Sequence, residues 1–151
     1  TDPFYIWAAL LPWMAVEELC GFDPWNGWSL CNNGADANFG PLLSPAGRIH
    51  VSSENGVLTV TRDGVPFLST NNLGRFTHLV VGDGYISCRI ESASQSAAEL
   101  HLAGIDAGEV VAVKLGEMDA QWRAADIGIV VALPTADKTR EFHLWHRRQV
   151  K

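Results

Sequence analysis

The stretch RFTHLVVGDGYISCRIES, residues 75–92, decides the fold class of this chain. In its second half Ile86, Cys88 and Ile90 alternate with polar residues, so the apolar side chains lie on one face of an extended strand. Residues 82–84, Gly-Asp-Gly, separate this half from another β-like segment and tolerate the positive φ angles of a tight turn. The stretch therefore predicts two neighbouring β-strands.

Short β-like segments continue on both sides of this pair, with turn residues such as Asp63-Gly64 between them. The segments predicted to be strands are 48–52, 57–61, 65–70, 75–81, 85–92, 99–103, 109–115, 127–133 and 141–147. Residues 117–125 fit either a strand or a short helix. Short strands at this spacing are typical of an antiparallel β-sandwich, and we predict an all-β fold of jelly-roll type.

The apolar pattern within three of these segments predicts which side chains are buried. Segments 109–115 and 127–133 are almost continuously apolar, as in central strands covered on both faces. Segment 141–147 alternates instead, so Phe142 and Leu144 face away from their polar and aromatic neighbours. The last segment of the chain is therefore predicted to have one buried face.

The first 47 residues differ in composition from the rest of the chain. Four of the six tryptophans lie within the first 28 residues, and an apolar run of thirteen residues extends from Phe4 to Val16. Asp2-Pro3 is typical of a helix start, whereas Pro12 would kink or restart a helix. We predict a helical or irregular aromatic arm and an ordered loop over 1–47, with one short strand around Trp28–Cys31 within that loop. The β-sandwich is predicted over 48–151, in one folding unit with the arm.

A segment that is apolar nearly all round has to be covered, either by its own sandwich or by a partner. No Lys or Arg precedes Arg48, which favours a protein partner over contact with a membrane interface. The apolar run is also shorter than the roughly 20 residues that span a bilayer. The residues predicted to contact a partner are Phe4, Tyr5, Trp7, Leu10, Leu11, Trp13, Met14, Trp25 and Trp28.

Charge and cysteine content narrow the function classes. The net charge is −6 and the only adjacent basic pair is Arg147-Arg148, which argues against a nucleic-acid partner. Cys20 and Cys31 flank a tryptophan-rich loop and either form a disulfide or remain thiols, whereas Cys88 is predicted to be a buried apolar residue. The cysteine pair and a first residue other than Met favour an extracytoplasmic or secreted location.

Two motifs resemble a known superfamily. Residues 54–60 (ENGVLTV) and 84–92 (GYISCRIES), which follow a tryptophan near an early strand, resemble the opening of concanavalin A-like lectin and glucanase domains. The resemblance covers residues 28–91, less than half of the chain. It implies a jelly roll and a carbohydrate-binding module with exposed aromatic side chains that stack on sugar rings. The candidates for this stacking are Tyr85, Trp122 and Trp145.

The segment 116–119 (GEMD) is similar to the Glu-x-Asp-x-x-Glu strand of laminarinase-like glycoside hydrolases in that superfamily. This likeness implies Glu117 as nucleophile and Asp119 as its supporting carboxylate, in a reaction that needs two carboxylates about 5 Å apart. Trp122 occupies the position of the acid/base, and an indole cannot donate that proton. We therefore predict no catalytic residue, and a small glycan-active hydrolase is the lesser alternative.

Oxygen ligands for Ca²⁺, which some jelly rolls bind, are present at Asp36, Asn38, Asp63 and Asp83. Their spacing matches no dedicated calcium loop, and the cysteines lack zinc-site spacing, so no cofactor and no metal site is predicted. The sequence thus predicts a non-catalytic binding or accessory subunit that docks through its arm into a larger protein assembly or a homo-oligomer. A carbohydrate-binding module is the main alternative.

Overall fold

The computed structural model describes residues 28–44, 47–94, 96–135 and 139–147. Within these ranges the chain forms thirteen β-strands and one 3₁₀ turn, Ala107–Glu109. The strands are β1 (Trp28–Asn32), β2 (Ala37–Ser44), β3 (Gly47–Glu54), β4 (Val57–Arg62), β5 (Val65–Thr70), β6 (Gly74–Gly82), β7 (Tyr85–Ser92), β8 (Ala98–Ala103), β9 (Val110–Leu115), β10 (Met118–Asp119), β11 (Trp122–Ala125), β12 (Gly128–Leu133) and β13 (Thr139–His146). The described part of the chain has no helix long and apolar enough to cross a membrane.

The strands form two antiparallel sheets that pack as a sandwich, which confirms the predicted all-β fold class. Sheet I has six strands in the order β1-β6-β7-β13-β9-β10, and sheet II has seven in the order β11-β12-β8-β5-β4-β3-β2. Strands β2 to β5 follow one another in sheet II, whereas later connections cross repeatedly between the sheets. The last strand, β13, consequently lies in the middle of sheet I, between β7 and β9.

The core lies between the two sheets and takes apolar side chains from both inner faces. Ile86, Cys88 and Ile90 of β7 are buried, and so are Phe142 and Leu144 of β13, as the sequence alternation predicts. The largest side chains with almost no exposure are Phe76, Phe142, Leu30, Ile49, Leu58, Leu100, Leu102, Ile129 and Leu144. The alternation in β7 and β13 therefore separates an apolar inner face from a mostly polar outer face.

The sequence prediction of a loop up to residue 47 is wrong for residues 37–44, which form the edge strand β2 of sheet II. Its Pro41 removes a backbone donor, which an edge strand or a bulge tolerates, and the pairing with β3 shifts register between Phe39 and Leu42. Phe39 and Leu42 pack against the core. Because β1 and β2 both belong to the sheets, the sandwich includes residues from Trp28 onward.

Two further predictions need correction. Residues 117–125 form neither one strand nor a helix, because β10 joins sheet I and β11 joins sheet II. Strand β9 is not covered on both faces, since Val111 is 63% exposed, whereas Val130 of β12 is buried as expected. Strand β10, at the edge of sheet I, is only two residues long and pairs with only Lys114 and Leu115 of β9. Most of β9 therefore has no neighbouring strand at this edge of the sheet.

We expect Phe142→Ala to destabilise the fold by about 3–5 kcal/mol, because Phe142 is 0% exposed and the surrounding strands cannot close the cavity it leaves. Urea denaturation followed by circular dichroism measures this change. Val111→Ala on the neighbouring strand is the control and should change stability by no more than about 0.5 kcal/mol. Equal losses from the two variants would contradict the placement of β13 in the core.

Candidate functional site

The outer face of sheet I carries three contacting rings, those of Tyr85 in β7 and of His143 and Trp145 in β13, which we call the aromatic cluster. Antiparallel pairing places Trp145 directly opposite Tyr85. Their ring centroids are 5.6 Å apart, the His143 and Trp145 centroids are 5.4 Å apart, and the Tyr85 and His143 centroids are 6.0 Å apart. Trp145 keeps 36% of its surface exposed, so the cluster presents an indole to solvent.

A hydrogen bond fixes the polar side of the aromatic cluster. The Tyr85 hydroxyl and Nδ1 of His143 are 2.7 Å apart. When the phenol donates this bond, the ring proton of neutral His143 lies on Nε2, which then serves as a donor for a ligand. The two side chains thus hold each other in place and provide an acceptor and a donor beside the exposed indole.

Polar side chains border the aromatic cluster on the same face. Ser87 and Lys114 occupy the positions opposite His143 on the two neighbouring strands. Next to them, Arg89 Nε donates to Oε1 of Glu141 at 2.8 Å, in an ion pair whose side chains are about half exposed. Such a solvated pair adds little stability, and it leaves both charges at the border of the cluster.

The structure brings together two of the three residues predicted to stack on sugars, Tyr85 and Trp145, and separates the third. Trp122 is exposed on β11, an edge strand of sheet II. Its neighbour Arg123 donates from Nη2 to both carboxylate oxygens of Glu99, at 3.0 and 3.2 Å. These hydrogen bonds lower the pKa of the Glu99 carboxyl. Trp122 itself pairs with Val131 of β12, in the sheet opposite to the one that carries Tyr85 and Trp145.

The residues predicted to contact a partner lie almost entirely outside the described residues: Phe4, Tyr5, Trp7, Leu10, Leu11, Trp13, Met14 and Trp25. Trp28 is the exception, since it begins β1 and its backbone pairs with Leu79 of β6. Strand β1 is the edge strand of sheet I, so the predicted arm connects to the sandwich at that edge. Partner contact through the arm stays a prediction.

The cysteines differ in environment. Cys31 lies on β1 and forms no disulfide with the other described cysteine, Cys88. Cys20, its predicted disulfide partner, lies outside the described residues, so that pairing stays a prediction. Cys88 is buried in the core, as predicted. Burial, with a smaller contribution from the negative charge of Glu141, raises the pKa of the Cys88 thiol to about 12.

The carboxylates considered for Ca²⁺ occupy separate turns. Asp36 Oδ1 accepts a hydrogen bond from the backbone N–H of Asn55 at 3.0 Å, and Asp63 Oδ1 accepts one from the backbone N–H of Arg48 at 2.9 Å. These contacts lie at opposite ends of β3, and Asp83 lies in the turn that joins β6 to β7 in the other sheet. Across the described ranges, no three His, Cys, Asp or Glu side chains are grouped to hold a metal ion.

The positions that the glycoside hydrolase likeness assigns to one strand lie in different elements. Glu117 is exposed in the turn between β9 and β10, Asp119 ends β10, and Trp122 begins β11 in the opposite sheet. A retaining glycosidase requires its carboxylates to face each other across one cleft. These three residues therefore do not reproduce the motif's arrangement along one face of one strand.

Comparison of the chain with protein-family models, with characterised proteins and with solved structures finds no match. Membership of the concanavalin A-like superfamily, which the sequence resemblance implies, stays a prediction. The sequence prediction did not include His143 among the site residues, although the structure places it in the aromatic cluster. The strand period could have indicated it, because His143 and Trp145 are two residues apart on one strand and so share one face.

We expect the two described thiols to react at very different rates with iodoacetamide at about pH 8, because only the thiolate is the nucleophile. In the presence of reductant, Cys31 should be alkylated in the folded protein and Cys88 only after unfolding. Peptide mass spectrometry measures both rates. The same experiment without reductant tests the predicted disulfide, which would protect Cys31. Alkylation of Cys88 at the rate of Cys31 in folded protein would contradict its burial.

Proposed function

We propose that this chain is a non-catalytic binding domain and that its ligand, a carbohydrate, binds at the aromatic cluster. The single observation that carries the proposal is the exposed Trp145 indole beside the hydrogen-bonded pair of Tyr85 and His143. Large aromatic rings on a folded surface provide contact area at low entropic cost, and their polar atoms orient what they bind.

A sugar ring fits this combination of groups because it has one apolar C–H face and a rim of hydroxyl groups. The C–H face packs against the Trp145 indole, while the hydroxyls exchange hydrogen bonds with His143, Ser87 and Lys114. Arg89 and Glu141 at the border are already paired with each other, so the proposed contacts do not depend on their charges. An extracytoplasmic location, where such glycans and disulfides occur, belongs to the same proposal.

The second candidate function is docking into a protein assembly through the N-terminal arm. Its specific support is an apolar surface at the edge where the arm connects to the sandwich. Val80 of β6 is 48% exposed on the outer face of sheet I, and it follows Leu79, the residue paired with Trp28. An exposed apolar side chain at this place gives the arm or a partner chain a surface to cover. This surface also adjoins the aromatic cluster, since Val80 pairs with Ser87.

For the carbohydrate proposal we expect Trp145→Ala to weaken binding about tenfold or more, because it removes the ring on which the sugar packs. Affinity electrophoresis in polysaccharide gels, after a glycan-array screen, measures the effect. Trp122→Ala is the matched control, since it removes an equally exposed indole from the other sheet and should leave retardation unchanged. No retardation of the unmodified chain by any polysaccharide, or equal losses from both variants, would refute the proposal.

For the docking candidate we expect deletion of residues 1–19 to leave a folded β-sandwich that no longer associates, because the deletion removes most of the apolar run. Light scattering coupled to size-exclusion chromatography measures association, and circular dichroism measures folding. The docking candidate would be contradicted if the full chain is a monomer and its truncated form unfolds. That result would show that the arm covers its own sandwich.

A further inference from the structure

A cavity of about 640 Å³ opens at one end of the sandwich, where β10, β12 and β13 approach one another. Its wall is largely apolar, and it includes Leu115, Met118, Ala120, Leu133 and Pro134. Ligand pockets in proteins have volumes of about 300–1,000 Å³ and similar apolar walls with few polar groups. The cavity thus has the size of a small-molecule site. The polar residues that line it are Asn71, Glu99, Asp119, Gln121 and Arg140.

The first of these polar side chains is Arg140, at the start of β13. It precedes Phe142 and Leu144 by two and four residues and therefore shares their inward-facing side of the strand. Register confirms this placement, because Arg140 pairs with the buried Ile90 of β7. An arginine is thus aimed between the two sheets, at the end where the cavity opens.

The guanidinium of Arg140 is only partly satisfied. Its Nη1 atom is buried and makes no hydrogen bond, and no carboxylate of the described residues forms an ion pair with Arg140. The residue as a whole is half-buried, so only this one nitrogen is cut off from water, and a buried donor without an acceptor is costly. Arg140 therefore provides an unused positive donor at the cavity.

A second polar side chain, Asn72, is 1% exposed and lines a narrow recess beside the cavity rather than the cavity itself. Its Oδ1 accepts a hydrogen bond from the Ser92 hydroxyl at 2.7 Å, while its Nδ2 makes none. Asn72 and Arg140 line the same narrow recess, which shares Leu115 and Leu133 with the main cavity. Three buried side-chain polar atoms lack a partner among the described residues, and two of the three lie at this recess.

Asn32 shows that an asparagine buried in this sandwich can be satisfied. It is also 1% exposed, yet its Nδ2 donates to the carbonyl of Gly56 at 2.9 Å and its Oδ1 accepts from the N–H of Gly34 at 3.2 Å. Nδ2 of Asn72, by contrast, has no acceptor among the described residues. Because buried donors almost always have an acceptor, we expect a bound molecule to provide one at this recess.

We infer that this end cavity is a binding site for an apolar small molecule with one terminal carboxylate. The carboxylate accepts hydrogen bonds from Arg140 in the main cavity, and the apolar remainder packs against Leu115, Leu133 and Met118. The recess beside it has a volume of about 10 Å³, which is room for one water molecule between the carboxylate and Nδ2 of Asn72. This site is separate from the aromatic cluster, which lies on the outer face of sheet I, and the inference does not depend on the proposed function.

The charges at the mouth of the cavity restrict the ligand further. Glu99 and Asp119 both line the cavity, and Glu99 is already paired with Arg123. A ligand with a second negative charge at its outer end would meet these carboxylates. The site therefore suits a monocarboxylate whose free end is apolar or neutral.

Octanoate tests the inference, with octylammonium as the ligand of equal chain length and opposite charge. Isothermal titration calorimetry on the full chain should show saturable binding of octanoate and none of octylammonium. Arg140→Gln should weaken octanoate binding about tenfold or more, because it removes the charge that the carboxylate meets. The control Arg75→Gln, at an exposed arginine of β6, should leave the affinity unchanged.

A second variant keeps the test decisive if Arg140→Gln does not fold. Ala132 is exposed and lines the cavity mouth, so Ala132→Trp should block octanoate while the thermal unfolding midpoint stays unchanged. Three results would overturn the inference: octanoate and octylammonium bind equally, folded variants at both positions keep full affinity, or the folded chain binds no octanoate. In the last case the two donors hold buried water.

Discussion

Strand β13 pairs with β7 on one side and with β9 on the other, and the rest of sheet I depends on this insertion. Its inward side chains Phe142 and Leu144 are fully buried in the core, while His143 and Trp145 on the opposite face build the aromatic cluster. Because these contacts join distant parts of the chain, the sheet closes only when nearly the whole sequence is available. One alternating strand thus determines both the stability of the sandwich and the position of its candidate site.

Much of the fold could be predicted because short strands with one apolar face leave a simple two-residue period. The prediction failed where that period is broken. Strand β2 contains Gly40 and Pro41, which indicate a loop in isolation and are tolerated only because β2 is an edge strand with a bulge. The prediction for residues 117–125 failed for another reason. Strands β10 and β11 are too short to show a two-residue period, and each belongs to a different sheet.

The candidate sites were harder to predict because they depend on register between distant strands. Tyr85 and Trp145 were each recognised as exposed aromatic residues, but sixty residues of chain separate them, and only the pairing of β7 with β13 makes them neighbours. Arg140 was missed because the predicted strand began one residue after it. An extension of the alternation by that single residue would have placed an arginine on the buried face, which is the kind of conflict that marks functional positions.

Both the core contacts of β13 and the aromatic cluster depend on the register of β13 against β7, since a slip by one residue would exchange the two faces of the strand. Nuclear Overhauser contacts between side-chain protons measure it directly. We expect contacts from the Tyr85 ring to the rings of both His143 and Trp145, and from Cys88 to Phe142. Contacts from Tyr85 to Phe142 or Leu144 instead, with His143 and Trp145 inside the sandwich, would contradict it.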